Sequence, residues 1–363
     1  MGKQLPTIWK IDAHTVKKHE ILRRYWEAWL PIMGTWNGRI LFIDGFAGPG
    51  RYEGGEDGSP VVVLKAAIQH RYKVKAEVLF LFIEKDKDRC EHLRQVLKEM
   101  KPSLPGNFKY DCIEGSFDEE ITKNLTELAQ NKKKLAPALV FVDPFGFSHT
   151  PYETIAKLLQ NPRCDVLINF MFEEINRFLA LPEQPRNYDK LFGTDEWRKA
   201  LAMPPGDRRK FLHDLYLAQL RKVAKYVRSF EMVNKGNATD YFLFFASNSL
   251  RGLEKMKEAM WRADSTGEYS FSDYTDARGL QSLFADNPDF NQLRDLIVGR
   301  FREQQATIEQ IHEFVVAETL FLGTHYKTKI LKPLEAEGKL QVVSAPPKRK
   351  RGTFPTGTTV RFL

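Results

Sequence analysis

The chain has 363 residues, 42% of them hydrophobic and 28% charged, with a formal net charge of +8 and a pI near 9.1. That length suits about two domains, one large and one small, and the hydrophobic share excludes a disordered chain. No apolar run reaches the roughly 18 residues of a membrane helix, and the start "MGKQLPTIWKIDAHTVKKHE" lacks the basic-then-apolar order of a secretory signal, so a cytoplasmic location is expected.

Cys90, Cys112 and Cys164 have neither the spacing of a zinc site nor the even count of a disulfide framework. They read as buried thiols in a reducing compartment, and no metal site is expected. The positive charge favours a polyanionic partner. It is concentrated late: residues 306–363 hold nine Lys/Arg against five Asp/Glu, which is half of the net surplus in the last sixth of the chain.

In chain order, an amphipathic helix over "TVKKHEILRRYWEAWLPIM" is followed by five short β-branched or aromatic runs separated by helical patterns: "RILFIDGF", "AEVLFLFIEKD", "FKYDCIEGS", "ALVFVDPFGF" and "DVLINFMFE". That alternation predicts a parallel sheet with helical crossovers. The runs "YVRSFEMV" and "DYFLFFASNS" flank "NKGNAT" and predict a hairpin. Five parallel strands closed by an antiparallel pair is the Rossmann-like arrangement of class I methyltransferases. The expected α/β domain spans residues 1–265, with a polar insertion or lid near 181–208. Residues 266–287 lack sustained periodicity and read as a linker. Residues 288–363 read as three helices and two short strands around a basic Pro/Gly loop, a small winged-helix domain.

In open α/β sheets, ligands bind beyond the carboxyl ends of the strands, where strand order reverses. Asp44 ends the first strand there. Gly45, Gly48 and Gly50 follow in a G-x-x-G-x-G spacing that suits backbone approach to a bound group. With Phe46 the segment reads D-x-F-x-G-x-G, which resembles the S-adenosylmethionine loop of methyltransferases with "DLFAGTG". Ser59 and Pro60 are expected to supply the N-cap and first residue of the next helix. Glu84, ending strand two, stands where such folds place an acid against the ribose hydroxyls. After strand three, Ser116 occupies the place where many methyltransferases carry Asp for adenine; the Phe117 backbone and Asp118 are alternatives.

The fourth strand ends in Asp143, Pro144, Phe145, Gly146 and Phe147. This is similar to the Asp/Asn-Pro-Pro-aromatic tetrapeptide of nucleic-acid amino-methyltransferases, in which an acid and a carbonyl accept the hydrogens of an exocyclic amine and an aromatic ring stacks on the base. Gly146 departs from that pattern, and "DPFG" is closer to certain tRNA guanine methyltransferases. Asp143, Pro144 and Phe145 are the candidate catalytic residues; a turn cap with Phe145 and Phe147 in the core is the structural alternative. Asn169, Glu173, Glu174, Asn176 and Arg177 follow strand five on the same side of the sheet, and His14 and His19 of the first helix are further candidates for the crevice. In the C-terminal region, Lys327, Lys329, Lys348, Arg349, Lys350 and Arg351 are the expected phosphate contacts.

Taken together, "KKHEILRRYWEAWL", "FIDGFAGPGRYEGGEDGSP", "FIEKD", "VFVDPFG", "NF…EEINRF" and the ending "TTVRF" resemble the three-Cys-motif partner proteins of bacteria and phages over nearly the whole chain. The resemblance implies a methyltransferase-like domain and a partner with a three-cysteine motif, similar to radical S-adenosylmethionine and iron-sulfur enzymes. The resulting expectation is a methyltransferase-like protein acting on a DNA or RNA base alongside that partner. The alternative is a catalytically degenerate fold serving the partner as a nucleic-acid-binding or adaptor subunit.

Overall fold

A computed structural model describes residues 6–11, 13–147, 149–233, 239–263, 270–273, 289–319 and 321–363. Helix α1 (Ala13–Trp36) precedes an alternation of strands β1 (Arg39–Asp44), β2 (Glu77–Glu84), β3 (Phe108–Glu114), β4 (Ala138–Val142) and β5 (Cys164–Phe170) with helices α2 (Ser59–Ile68), α3 (Lys87–Met100), α4 (Phe117–Gln130) and α5 (Tyr152–Leu159). Then come α6 (Phe172–Phe178), α7 (Pro185–Phe192), α8 (Pro205–Arg221), β6 (Tyr226–Val233), β7 (Thr239–Ser247), α9 (Leu250–Ala263) and β8 (Ser270–Asp273).

The strands form one sheet in the order β3-β2-β1-β4-β5-β7-β6-β8. Strands β1 to β5 run parallel, and β7 inserts antiparallel between β5 and β6. The first seven strands therefore have the class I methyltransferase order. Every residue of β4 and β5 is buried, as continuous apolar runs in a sheet covered on both faces require, whereas edge strand β3 alternates. Successive side chains divide between two cores. Phe42, Phe80, Phe82 and Phe141 pack toward α1, α2 and α3, while Leu41, Ile43, Val140 and Ile168 pack toward the opposite layer. Buried Asp165 ties α1 to the sheet by accepting hydrogen bonds from Tyr25 Oη (2.9 Å), Trp29 Nε1 (2.8 Å) and Ser247.

The segment near 181–208 is part of an insertion between β5 and β6; most of its residues are exposed or half-buried, and one apolar face anchors it: Tyr188, Leu191, Phe192 and Trp197 are buried, and the Phe147 ring stacks on Tyr188 at 4.6 Å. Within the expected linker, β8 pairs antiparallel with β6; the remainder of 266–287 lies outside the described residues.

Residues from 289 onward form α10 (Phe290–Phe301), β9 (Gln305–Thr307), α11 (Ile308–Glu318), a π-helical turn (Lys327–Leu331) continuing into α12 (Lys332–Ala336), β10 (Leu340–Ser344) and β11 (Thr359–Phe362). The three strands make a small antiparallel sheet, β10-β11-β9. Strand β9 falls where one expected helix ends and the next begins, and was not expected. This region docks firmly on the large sheet and α9. Buried Lys257 donates to the carbonyls of Val315 (3.2 Å), Val316 (2.9 Å), Thr319 (2.8 Å) and Phe321 (2.7 Å), capping the negative end of α11. Arg228 donates to Ala317 and Thr319, both at 2.8 Å.

Candidate functional site

The glycine loop leaves β1 at Asp44 and folds back against its neighbours. Gly45 N–H donates to Phe141 O (2.9 Å), Ala47 N–H to Ile83 O (2.9 Å) and Gly48 N–H to Glu84 Oε2 (2.8 Å). The amides of Gly45 and Gly48, expected to meet a bound group, are thus engaged within the protein. Glycine serves close packing instead: a Cβ on Gly45 would stand 2.5 Å from the Phe117 ring, and one on Gly50, at φ +81°, would stand 2.7 Å from Leu93. Helix α2 is capped by Gly58, so Ser59 is its first residue and faces the site; its hydroxyl interacts with Asp44.

Asp44 is fully buried, and burial pushes its carboxyl up to about 7; Ser59 and the Phe46 amide pull it down, while the charges of Asp143 and Glu84 add to the rise. Its Oδ2 has no hydrogen-bond partner. Glu84 lies 6% exposed at the end of β2, with Oε1 accepting from Asp86 N–H and Oε2 from Gly48 N–H, both at 2.8 Å. Burial raises its pKa against those two bonds. Two amides do not exhaust a carboxylate, so further lone pairs remain for a ligand.

Two cavities meet above these strand ends. One, of about 350 Å³, is lined by Gly45, Phe46, Glu84, Ser116, Phe117 and Phe145, among others. The second, of about 500 Å³, includes Trp9, Lys18, Tyr52, Asp143, Asn169 and Glu174. Phe46, Arg89 and Phe145 line both and form the partition. Arg89 lies over Trp9 (4.8 Å) and Phe145 (5.5 Å), and the Trp9 ring meets Phe145 edge-on at 5.2 Å. Trp9 is held by its carbonyl, which accepts from Glu53 N–H at 2.9 Å.

Within the second cavity, Asp143 accepts from Lys18 Nζ at 2.7 and 2.8 Å and from Asn169 Nδ2 at 2.6 Å. Lys18 is 7% exposed. Phe145 is 49% exposed at the cavity wall and Phe147 is buried, so the structure separates two rings that the sequence left equivalent. Pro144 and His19 are buried and also line this cavity; the His14 side chain lies outside the described residues. Ser116 caps α4, accepting from Glu119 N–H, while bordering the first cavity. Glu173 pairs with Arg177 on the exposed side of α6, and Asn176 accepts from Arg208.

Sequence reasoning missed Lys18, Arg89 and Trp9. Lys18 left a readable trace: it stands three, four, seven and eight residues before Ile21, Leu22, Tyr25 and Trp26, on the buried stripe of α1.

Among the basic residues near the C-terminus, Lys329, Lys348, Lys350 and Arg351 are exposed and Lys327 is half-buried. Arg349 departs from the expected phosphate role: its guanidinium donates to both oxygens of Glu335 (2.7 and 2.8 Å) and to Thr353 O (2.7 Å), pinning the loop to α12. No helix of the described residues is long and apolar enough to cross a membrane.

The sequence matches no family model and no curated protein. Among solved structures, the chain is similar to a DUF519-family protein from Legionella pneumophila, at 12% identity and TM-score 0.40, over 71% of this chain and 95% of that one. It is also similar to an O-methyltransferase from Bacillus cereus solved with SAH (12% identity, TM-score 0.35, 66% and 82% covered). A third similar structure is human methyltransferase-like protein 13 in complex with SAH (11% identity, TM-score 0.35, 77% and 99% covered).

Proposed function

We propose that the protein is an S-adenosylmethionine-dependent methyltransferase acting on a base of DNA or RNA, working with a partner that carries a three-cysteine motif. The observation that carries this reading is the meeting of two cavities at Phe46 and Phe145, with the Glu84 carboxylate in one and Asp143 in the other. A nucleoside with a short charged tail suits the first cavity and its junction with the second. Glu84 accepts the ribose hydroxyls, and Ser116 and Phe117 border the base. Bound there, S-adenosylmethionine supplies an electrophilic methyl group.

The chain's own contribution is orientation. Lys18 and Asn169 lock Asp143 in one rotamer, so the remaining lone pair on its Oδ2 accepts an N–H of the incoming base without reorganisation. Phe145 presents a ring face on which the base stacks. In the C-terminal region, the order α10-β9-α11-α12-β10-β11 supports a winged helix, with Lys327, Lys329, Lys348, Lys350 and Arg351 gripping phosphate. The partner rests on the sequence resemblance.

A second reading is a binding subunit without catalysis, favoured by the engagement of Asp143 with Lys18 and of the Gly45 and Gly48 amides within the fold. Transfer of radiolabelled methyl groups to mixed DNA and RNA, with and without the partner, separates the two. Incorporation that Asp143→Ala abolishes supports the enzyme; none under any condition supports the subunit.

A further inference from the structure

The acceptor cavity is rich in hydrogen-bond acceptors at one end. Asn169 is 2% exposed, and its amide orientation is fixed because the atom 2.6 Å from the Asp143 carboxylate must be the donor nitrogen. That nitrogen also contacts Met171 Sδ at 3.1 Å. The other terminus, Oδ1, is buried with no hydrogen-bond partner. Burying a carbonyl oxygen unpaired is costly, and such groups call for an explanation.

Glu174 borders the same cavity, half-buried, with no side-chain hydrogen bond or ion pair among the described residues. Its position explains the odd residue of the fourth-strand motif. Gly146 has φ +94°, and a Cβ there would stand 3.4 Å from Glu174 Oε2. Where related tetrapeptides carry an aromatic ring, this chain has cleared the side chain and brought a carboxylate alongside. Lys18, the cation at this end, is already bound to both oxygens of Asp143. Asp143, Asn169 Oδ1 and Glu174 therefore present acceptors to a ligand that must bring donors.

We propose that this wall selects a base with a contiguous donor edge, the N1–H and N2–H₂ of guanine, over adenine. Adenine offers one exocyclic amine flanked by the ring acceptors N1 and N7, and either nitrogen would face a carboxylate or a carbonyl oxygen. Glu174 takes two parallel N–H bonds from guanine, the pairing a carboxylate makes with a guanidinium fork. A site built to accept N–H groups rejects analogues lacking them, because its buried acceptors stay unpaired. The proposal rests on the preceding reading only in taking this cavity as the acceptor site.

The test uses the full chain and short oligothymidylates, deoxy and ribo, carrying one central guanine, hypoxanthine or adenine, with affinity measured by fluorescence anisotropy at fixed salt. The expected order is guanine, then hypoxanthine, which lacks the 2-amino group, then adenine, with guanine favoured over adenine by about tenfold or more. Glu174→Gln, which keeps volume and gains a donor, should bring guanine and adenine within about threefold, while circular dichroism and thermal unfolding stay near wild type. Equal retention of all three oligonucleotides, retention of none, or a guanine preference untouched by Glu174→Gln overturns the proposal. Cofactor binding is measured separately: a guanine preference without cofactor binding removes the methyl-transfer reading and leaves this one standing, and methyl transfer to adenine does the reverse.

Discussion

Lys18 of α1 and Asp143 at the end of β4, 125 residues apart in sequence, form a doubly hydrogen-bonded ion pair at 2.7 and 2.8 Å with side chains only 9% and 15% exposed. A pair this buried depends on both partners, because removing one strands the other charge.

Lys18→Met should cost about 3 kcal/mol in urea unfolding. Adding Asp143→Asn to it should return most of that loss, since neither charge is then stranded. If the single and double variants are equally unstable, the pair is not what holds this part of the site.

Asp44 gives a pH signature. Its folded pKa, about 7, lies above the unfolded value, so the folded state binds the extra proton between pH ~4 and 7. The contribution of Asp44 is therefore most favourable at the acid end and declines as pH rises through 7, by at most on the order of 4 kcal/mol. Comparing wild type with Asp44→Asn across that range should show the variant gaining relative stability as pH increases. A difference that is flat with pH contradicts the account.

The amount legible from sequence followed burial. Strands β4 and β5, covered on both faces, leave continuous apolar runs and were readable; three-residue β9 and edge strand β8 have no such signature. Asp44, Glu84 and Asp143 could be named because each ends a strand at the crevice. The state of their partners could not be read, since the groups that engage Gly45 and Gly48 are Phe141 O and the Glu84 carboxylate, supplied by neighbouring strands far along the chain. Arg349 sits in a run of four basic residues, and only the fold shows Glu335 beneath it while its neighbours remain outside.

That difference gives a further prediction. Replacing Lys348, Lys350 and Arg351 with alanine should weaken nucleic-acid binding about evenly across sequences and lower the slope of log K against log salt by about 2 to 3. Arg349→Ala should instead destabilise the loop by roughly 1–2 kcal/mol, seen as faster amide exchange around residues 350–353, through loss of the charge-assisted bonds from one guanidinium nitrogen to both Glu335 oxygens. Equal effects of all four residues on the salt slope would count against this division.

Glu84→Ala removes the proposed ribose acceptor and the anchor of the Gly48 amide together. Affinity for S-adenosylhomocysteine should fall about 30- to 100-fold, the scale of a lost hydrogen bond to a charged group. A change below about threefold would move the nucleoside away from Glu84.

The most direct test is calorimetric titration of the purified full chain with S-adenosylmethionine at neutral pH. The account predicts saturable heat with one molecule bound per chain, weakened by Glu84→Ala. No heat and no rise in unfolding temperature at millimolar ligand would contradict it.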